Sequence, residues 1–380
     1  MKYASRGDVS PFLAMEVLKA ANAREAEGNT VFHMEVGQPA TSAPEPVLEA
    51  AKHALDNKTI GYTEALGIPP LRRAIAAHYN DMYGIDLDPA RVIVTTGSST
   101  GFLLSFLSLF NPDERVVLAE PGYPAYRNIL GSVDVEAVGL PCGPETNFQP
   151  SPALIDEIEG PLHGLLVASP ANPTGTMLTP DELEELIKYC HARDMHFISD
   201  EIYHGLTYGQ KAVSALSYSD DVIIINSFSK YFSMTGWRLG WMIVPENLVG
   251  PIERLSQSMF ISAPTISQYA ALAAFDCKEE LEGYIENYSK NREILLRELP
   301  LMGLDKLAEA DGAFYIYANV SHLTDNSLEF CQRMLNECGV AATPGLDFDP
   351  HRGHEYIRLS FAGATEVIVD GVEALRKWLA

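Results

Sequence analysis

Val222-Ile223-Ile224-Ile225-Asn226-Ser227-Phe228-Ser229-Lys230 sets four branched apolar residues directly before a polar turn. A continuous run of this kind suits a strand covered on both faces, the habit of parallel sheets. Working outward, four more runs have the same character: Arg91-Val92-Ile93-Val94-Thr95, Arg115-Val116-Val117-Leu118, Gly164-Leu165-Leu166-Val167-Ala168 and His196-Phe197-Ile198-Ser199. Helix-length amphipathic segments separate them. One opens at Thr179-Pro180-Asp181-Glu182-Leu183, with Thr179 as N-cap, Pro180 at the first position and acids in the first turn. The alternation predicts an α/β fold whose mostly parallel central sheet is sandwiched by helices.

The last hundred residues read differently. Leu281, Tyr284, Ile285, Tyr288, Leu295 and Leu299 recur at helical spacing and predict a long surface helix. Beyond it, strands are expected at 313–317 and 356–360, and an amphipathic helix from about 366 to 379. Residues 1–45 carry one helix and a short strand but no core of their own. The expected organisation is a large domain over 46–280 and a smaller α+β domain built from 1–45 and 281–380.

The chain has 380 residues, with 27 Lys+Arg against 51 Asp+Glu, a formal charge of −24. Such an excess repels nucleic-acid backbones and anionic membrane surfaces, so neither is expected as a partner. No stretch approaches the roughly 20 apolar residues of a membrane span, and the first residues lack a signal-peptide core. A cytoplasmic location is the expectation. Five cysteines, widely spaced and without a Cys-x-x-Cys pair, argue against a disulfide framework or thiolate zinc site. His191/His196 and His351/His354 are wrongly spaced for one helix face, so no metal is expected.

Ligands of parallel α/β sheets gather at the carboxyl ends of strands. Three strands end in Asn172, Asp200 and Lys230, spaced 28 and 30 residues apart, close to the length of one βαβ unit. Each alone has an ordinary explanation as a turn or solvated residue. In register, beside Tyr203, they predict one constellation. The strand at Val92 leads into Gly97-Ser98-Ser99-Thr100-Gly101 and an apolar helix, an arrangement that offers backbone N–H groups and a helix dipole to a phosphate. Ser227 and Arg238 are further donors. The same glycines also match Gly-x-Ser-x-Gly, which would make Ser99 a hydrolase nucleophile with His351 or His354. That reading leaves Asn172, Asp200 and Lys230 without work.

Ser227-Phe228-Ser229-Lys230, followed by Gly236-Trp237-Arg238-Leu239-Gly240, resembles the pyridoxal-phosphate attachment site of class I/II aminotransferases of fold type I. So do Val36-Gly37-Gln38-Pro39, Gly61-Tyr62-Thr63 with Gly67 and Leu71-Arg72, Pro121-Gly122-Tyr123-Pro124, Asn172-Pro173-Thr174-Gly175, Asp200-Glu201-Ile202-Tyr203 and Arg358-Leu359-Ser360-Phe361. Together they span nearly the whole chain in family order.

The resemblance implies that pyridoxal 5'-phosphate is held as an imine on Lys230, which then acts as the base in a ping-pong exchange of an amino group with a 2-oxo acid. It implies Asp200 at the pyridine nitrogen, Tyr203 and Asn172 at the phenolic oxygen, and Tyr123 on the ring face. Ser98, Ser99, Ser227 and Arg238 would bind the phosphate, with Tyr62 reaching it from the other subunit of a homodimer. Arg358, helped by Asn172 and the backbone at Gly37, would clamp the substrate α-carboxylate. The most similar bacterial aspartate aminotransferases often carry a lysine where Ser99 stands, so a neutral or aromatic donor is expected, with 2-oxoglutarate or pyruvate as acceptor. Tyr3, Phe12 and Leu13 are candidates for the donor pocket, and His204 is read as structural. Lyase chemistry on the same cofactor is the nearest alternative.

Overall fold

The computed structural model describes residues 4–380. After a two-residue strand, Phe32–His33 (β1), come Val92–Thr95 (β2), Arg115–Glu120 (β3), Glu136–Pro141 (β4), Gly164–Ala168 (β5), His196–Asp200 (β6), Ile223–Ser227 (β7) and Gly240–Ile243 (β8). Strands β2 to β8 form one sheet in the order β2-β8-β7-β6-β5-β3-β4. β8 runs antiparallel to both β2 and β7, and every other pairing is parallel. All five apolar runs are strands of this sheet, so the mostly parallel α/β expectation holds.

Alternate side chains divide between two apolar layers, as a strand's period of two requires. Ile93, Leu118, Leu166, Ile198, Ile225 and Met242 pack on one side with Phe102 and Phe106 of the Ser98–Leu109 helix. Val94, Val117, Leu165, Phe197, Ile224 and Trp241 pack on the other with Leu183, Leu186 and Ile187 of the Pro180–His191 helix. That helix starts as the sequence predicts: Thr179 Oγ1 accepts from Glu182 N–H at 3.3 Å, and Glu182 Oε2 accepts from Thr179 N–H at 2.8 Å.

A second core surrounds Tyr315–Asn319 (β9), Val340–Ala341 (β10), Thr343–Pro344 (β11) and Tyr356–Ser360 (β12). β11, β12 and β9 form an antiparallel sheet, and β1 pairs in parallel with β10. The strand expected at 313–317 lies two residues later, because Ala313 adopts φ 56° and the chain becomes extended only beyond it. The helices Lys278–Glu298 and Thr365–Leu379 pack together over this core, while Leu13–Ala26 rests on β10 and β11. Among the described residues no helix is long and apolar enough to cross a membrane.

Register then positions the site. Ala168 pairs with Asp200, and Asp200 with Ile225, so β5 and β6 end level and β7 runs two residues further, to Ser227. The loops that follow, carrying Asn172, Tyr203 and Lys230, open onto one space beneath β12.

Candidate active site

That space is a cavity of about 470 Å³. Asp200 closes β6 and is 3% exposed. Its Oδ1 accepts from Ile202 N–H at 3.1 Å, and its Oδ2 from the Tyr126 hydroxyl. Burial pushes the carboxyl up to about 6, opposed by those two bonds and by Lys230. Lys230 sits in the turn after β7, with Nζ donating to the Gly37 carbonyl. Burial, then Arg358 and Arg238, push its amine down to about 8, while Asp200 pulls the other way. Gly37 is a steric necessity, since a Cβ there would lie 2.2 Å from Tyr315 Oη.

Arg358 projects from β12 on the opposite wall and is 3% exposed. Nη1 donates to Asn172 Oδ1 at 2.9 Å, and Nη2 donates to Thr343 Oγ1 at 3.1 Å and to the Glu35 carbonyl. Its guanidinium lies 4.5 Å from the Tyr315 ring centre and 4.8 Å from that of Phe348. No carboxylate in the described residues pairs with it, and Nε is buried without a partner. A buried cation left in that state is costly unless an anion joins it.

A second group of unpaired donors lies at the start of the Ser98–Leu109 helix. Its N-cap, Gly97, offers no side chain, so the first-turn N–H groups remain free for a ligand. Ser98 and Ser99 both line the cavity there. Gly97 has φ 77°, and a Cβ on it would stand 2.7 Å from Arg238 Nη2, so glycine is what lets the guanidinium approach. Arg238 Nη1 donates to the Thr235 carbonyl at 2.9 Å.

The remaining predicted residues divide. Tyr123 lines the cavity, edge-on to Tyr126 and Phe12 at 5.8 Å or less, with burial pushing its phenol up to about 12. Tyr203 lines it too, but its hydroxyl bonds Tyr315 Oη at 2.7 Å. Ser227 lies behind the wall. Its hydroxyl is committed to Ser229 Oγ at 2.9 Å and the Leu239 carbonyl at 3.0 Å, and Ser229 takes the wall position. Tyr62 is 83% exposed and outside this chain's own cavity. Phe12 lines the donor side, whereas Leu13 contributes only its backbone N–H, and Tyr3 lies outside the described residues. His204 is 7% exposed, between Tyr83 Oη at 2.7 Å and the Ser169 carbonyl at 3.0 Å. Burial pushes it down to about 4, a neutral linker behind the Asn172 loop. No histidine lines the cavity beside Ser99. Tyr315, Asp347 and Phe348 were not picked from the sequence, where each reads as strand or turn.

A lysine and an aspartate from neighbouring strand ends, an uncapped helix N-terminus beside Arg238 and a buried Arg358 without a carboxylate partner meet in one cavity. The chain belongs to the aminotransferase class I and II family, whose model matches residues 29–375, and it is an enzyme of the transaminase type. It is 46% identical to the valine–pyruvate aminotransferase of Mycobacterium tuberculosis, over 100% of this chain and 98% of that one. It is 32% identical to an aspartate aminotransferase of Thermotoga maritima, over 96% of each. Among solved structures, an aminotransferase from Mycobacterium tuberculosis superposes with a TM-score of 0.98 at 47% identity, covering 100% and 99% of the two chains. The aspartate aminotransferase of Thermus thermophilus with maleate gives 0.93 at 29%, covering 99% and 100%.

Proposed function

We propose that this aminotransferase uses pyridoxal 5'-phosphate on Lys230 and moves the amino group of a neutral L-amino acid to a 2-oxo acid by a ping-pong route. The observation that carries this reading is the convergence of Lys230, Asp200, Arg238 and the uncapped N-terminus of the Ser98–Leu109 helix on one cavity. The residues fit the group. A phosphate dianion matches the free N–H groups, Ser98, Ser99 and Arg238. A protonated ring nitrogen would offset the burial that raises Asp200. When bound, the cofactor supplies an electron sink for the substrate's α-carbon.

This chain's residues do the rest. Arg358 and Asn172 hold the substrate carboxylate, and Nε gains the partner it lacks. Lys230 Nζ, its amine already pushed down to about 8, takes the proton from the substrate Cα. Tyr203 and Asn172 would hold the ring's phenolic oxygen, and Tyr123 would stack on the ring and keep water from it. The cations on the cavity wall are Lys230, Arg238 and Arg358, all with work assigned. Among the described residues none remains for a side-chain carboxylate, which agrees with the name of the valine–pyruvate relative.

A homodimer belongs to the same proposal. Tyr62, Met259 and Ile261 are exposed by 83%, 48% and 47%, on segments joined by the Thr63 N–H to Ser262 Oγ bond. An apolar patch of this kind suits a second copy, across which Tyr62 would reach the partner's phosphate site. The two cores support a division into 46–280 and 1–45 with 281–380, and a cytoplasmic location is part of the same proposal.

A panel of amino acids and 2-oxo acids tests the reading. One product amino acid should form for each oxo acid consumed, and a donor supplied alone should stop after one equivalent per site. Continued turnover without an acceptor would instead establish lyase chemistry.

A further inference from the structure

Asp347 is 2% exposed and borders the cavity. Oδ1 accepts from Leu13 N–H at 2.8 Å and Oδ2 from Ala14 N–H at 3.2 Å. Those are first-turn donors of the Leu13–Ala26 helix, whose own N-cap, Phe12, has no side chain able to cap. The Asp347 carbonyl is itself held by Arg127 Nη2. A side chain 334 residues away in sequence therefore fixes the helix that brings Phe12, Ala14 and Met15 to the cavity. The next residue, Phe348, lies under Arg358, which ties this wall to the carboxylate clamp.

Charge gives the arrangement a second consequence. The charged side chains on the cavity wall are Asp200, Lys230, Arg238, Arg358 and Asp347. On the proposed reading, the first three serve the cofactor and Arg358 serves the α-carboxylate. Among the described residues the charge left on the wall is negative, beside Phe12, Met15 and Phe348. A second carboxylate there would lose water and face the Asp347 carboxylate in a weakly screened space, with Arg127 already engaged by the Asp347 carbonyl.

We propose that Asp347 is a specificity-determining residue that anchors the apolar wall and excludes a second carboxylate, restricting both amino donor and 2-oxo acceptor to monocarboxylic compounds. This rests on the aminotransferase reading and extends it to both half-reactions, so a pyruvate-type acceptor is selected over 2-oxoglutarate.

The test compares kcat/KM for glutamate and 2-oxoglutarate with that for valine and pyruvate, in wild type, Asp347→Asn and Asp347→Ser. Removal of the charge should raise the dicarboxylate-to-monocarboxylate ratio by about tenfold or more. A purely structural role would lower all substrates together, and an unchanged ratio in both variants overturns the proposal. Calorimetric binding to the wild-type holoenzyme covers the case in which neither variant folds. There 3-methylbutyrate should bind at least about tenfold tighter than glutarate, and equal or tighter binding of glutarate overturns it. Absence of transamination with every pair in wild type would instead remove the functional reading, which the binding comparison does not presuppose.

Discussion

Lys230 and Arg358 are two buried cations facing one cavity, and their mutual repulsion helps hold the Lys230 amine down near 8. A depressed pKa means that the proton leaves earlier as pH rises, so the nucleophilic neutral amine is present above about pH 8. In cofactor-free protein, acylation of Lys230 should therefore rise through pH 8 and level off, while surface lysines keep rising towards their ordinary 10.5. Peptide mass spectrometry reads both, and a Lys230 rate still climbing above about pH 10 would show an ordinary amine. At this scale the sequence was partly legible. Lys230, Asp200, Asn172, Tyr123 and Arg358 could be named because each ends or sits on a recognisable strand or motif, and all five line the cavity. Tyr315, Phe348 and Asp347 could not. Phe314-Tyr315-Ile316-Tyr317 reads as core, and only the folding of β9 and β12 over the sheet edge turns Tyr315 towards Tyr203. The Ser227 and Ser229 hydroxyls are two residues apart, and which one reaches the wall depends on the curl of the turn.

Elements explain why the anion site sits where it does. β2 delivers the chain to Gly97 at the carboxyl side of the sheet, and the uncapped helix starts at once. Gly97→Ala would require φ 77° of an alanine and push against Arg238. It should weaken pyridoxal phosphate binding at least about tenfold by equilibrium dialysis. Thr179→Ala, at the capped helix away from the cavity, should instead cost about 1 kcal/mol in urea unfolding with cofactor affinity unchanged. Equal cofactor affinity in Gly97→Ala and wild type would remove the helix terminus from the site. The five continuous apolar runs gave their strands away because both faces are buried. β4 did not, since it is an edge strand with two exposed ends and mixed Glu136-Ala137-Val138-Gly139 character. β8 is four residues long and begins at the last glycine of a motif read for its arginine.

At the scale of the whole molecule, a net charge of −24 surrounds the proposed site for anions. Global charge cannot attract those ligands, so Lys230, Arg238, Arg358 and one helix terminus must make the cavity locally positive. The exposed patch of Tyr62, Met259 and Ile261 concerns assembly. Light scattering should give a dimer for the wild type, and Met259→Asp with Ile261→Asp should shift it towards monomer with loss of activity. A wild-type monomer with full activity would refute a shared site.

Borohydride trapping tests the central claim most directly. The purified holoenzyme should show a visible absorption band that borohydride abolishes, with pyridoxal phosphate then fixed to the peptide carrying Lys230. Absence of the band, or a label on another lysine, would contradict the site described.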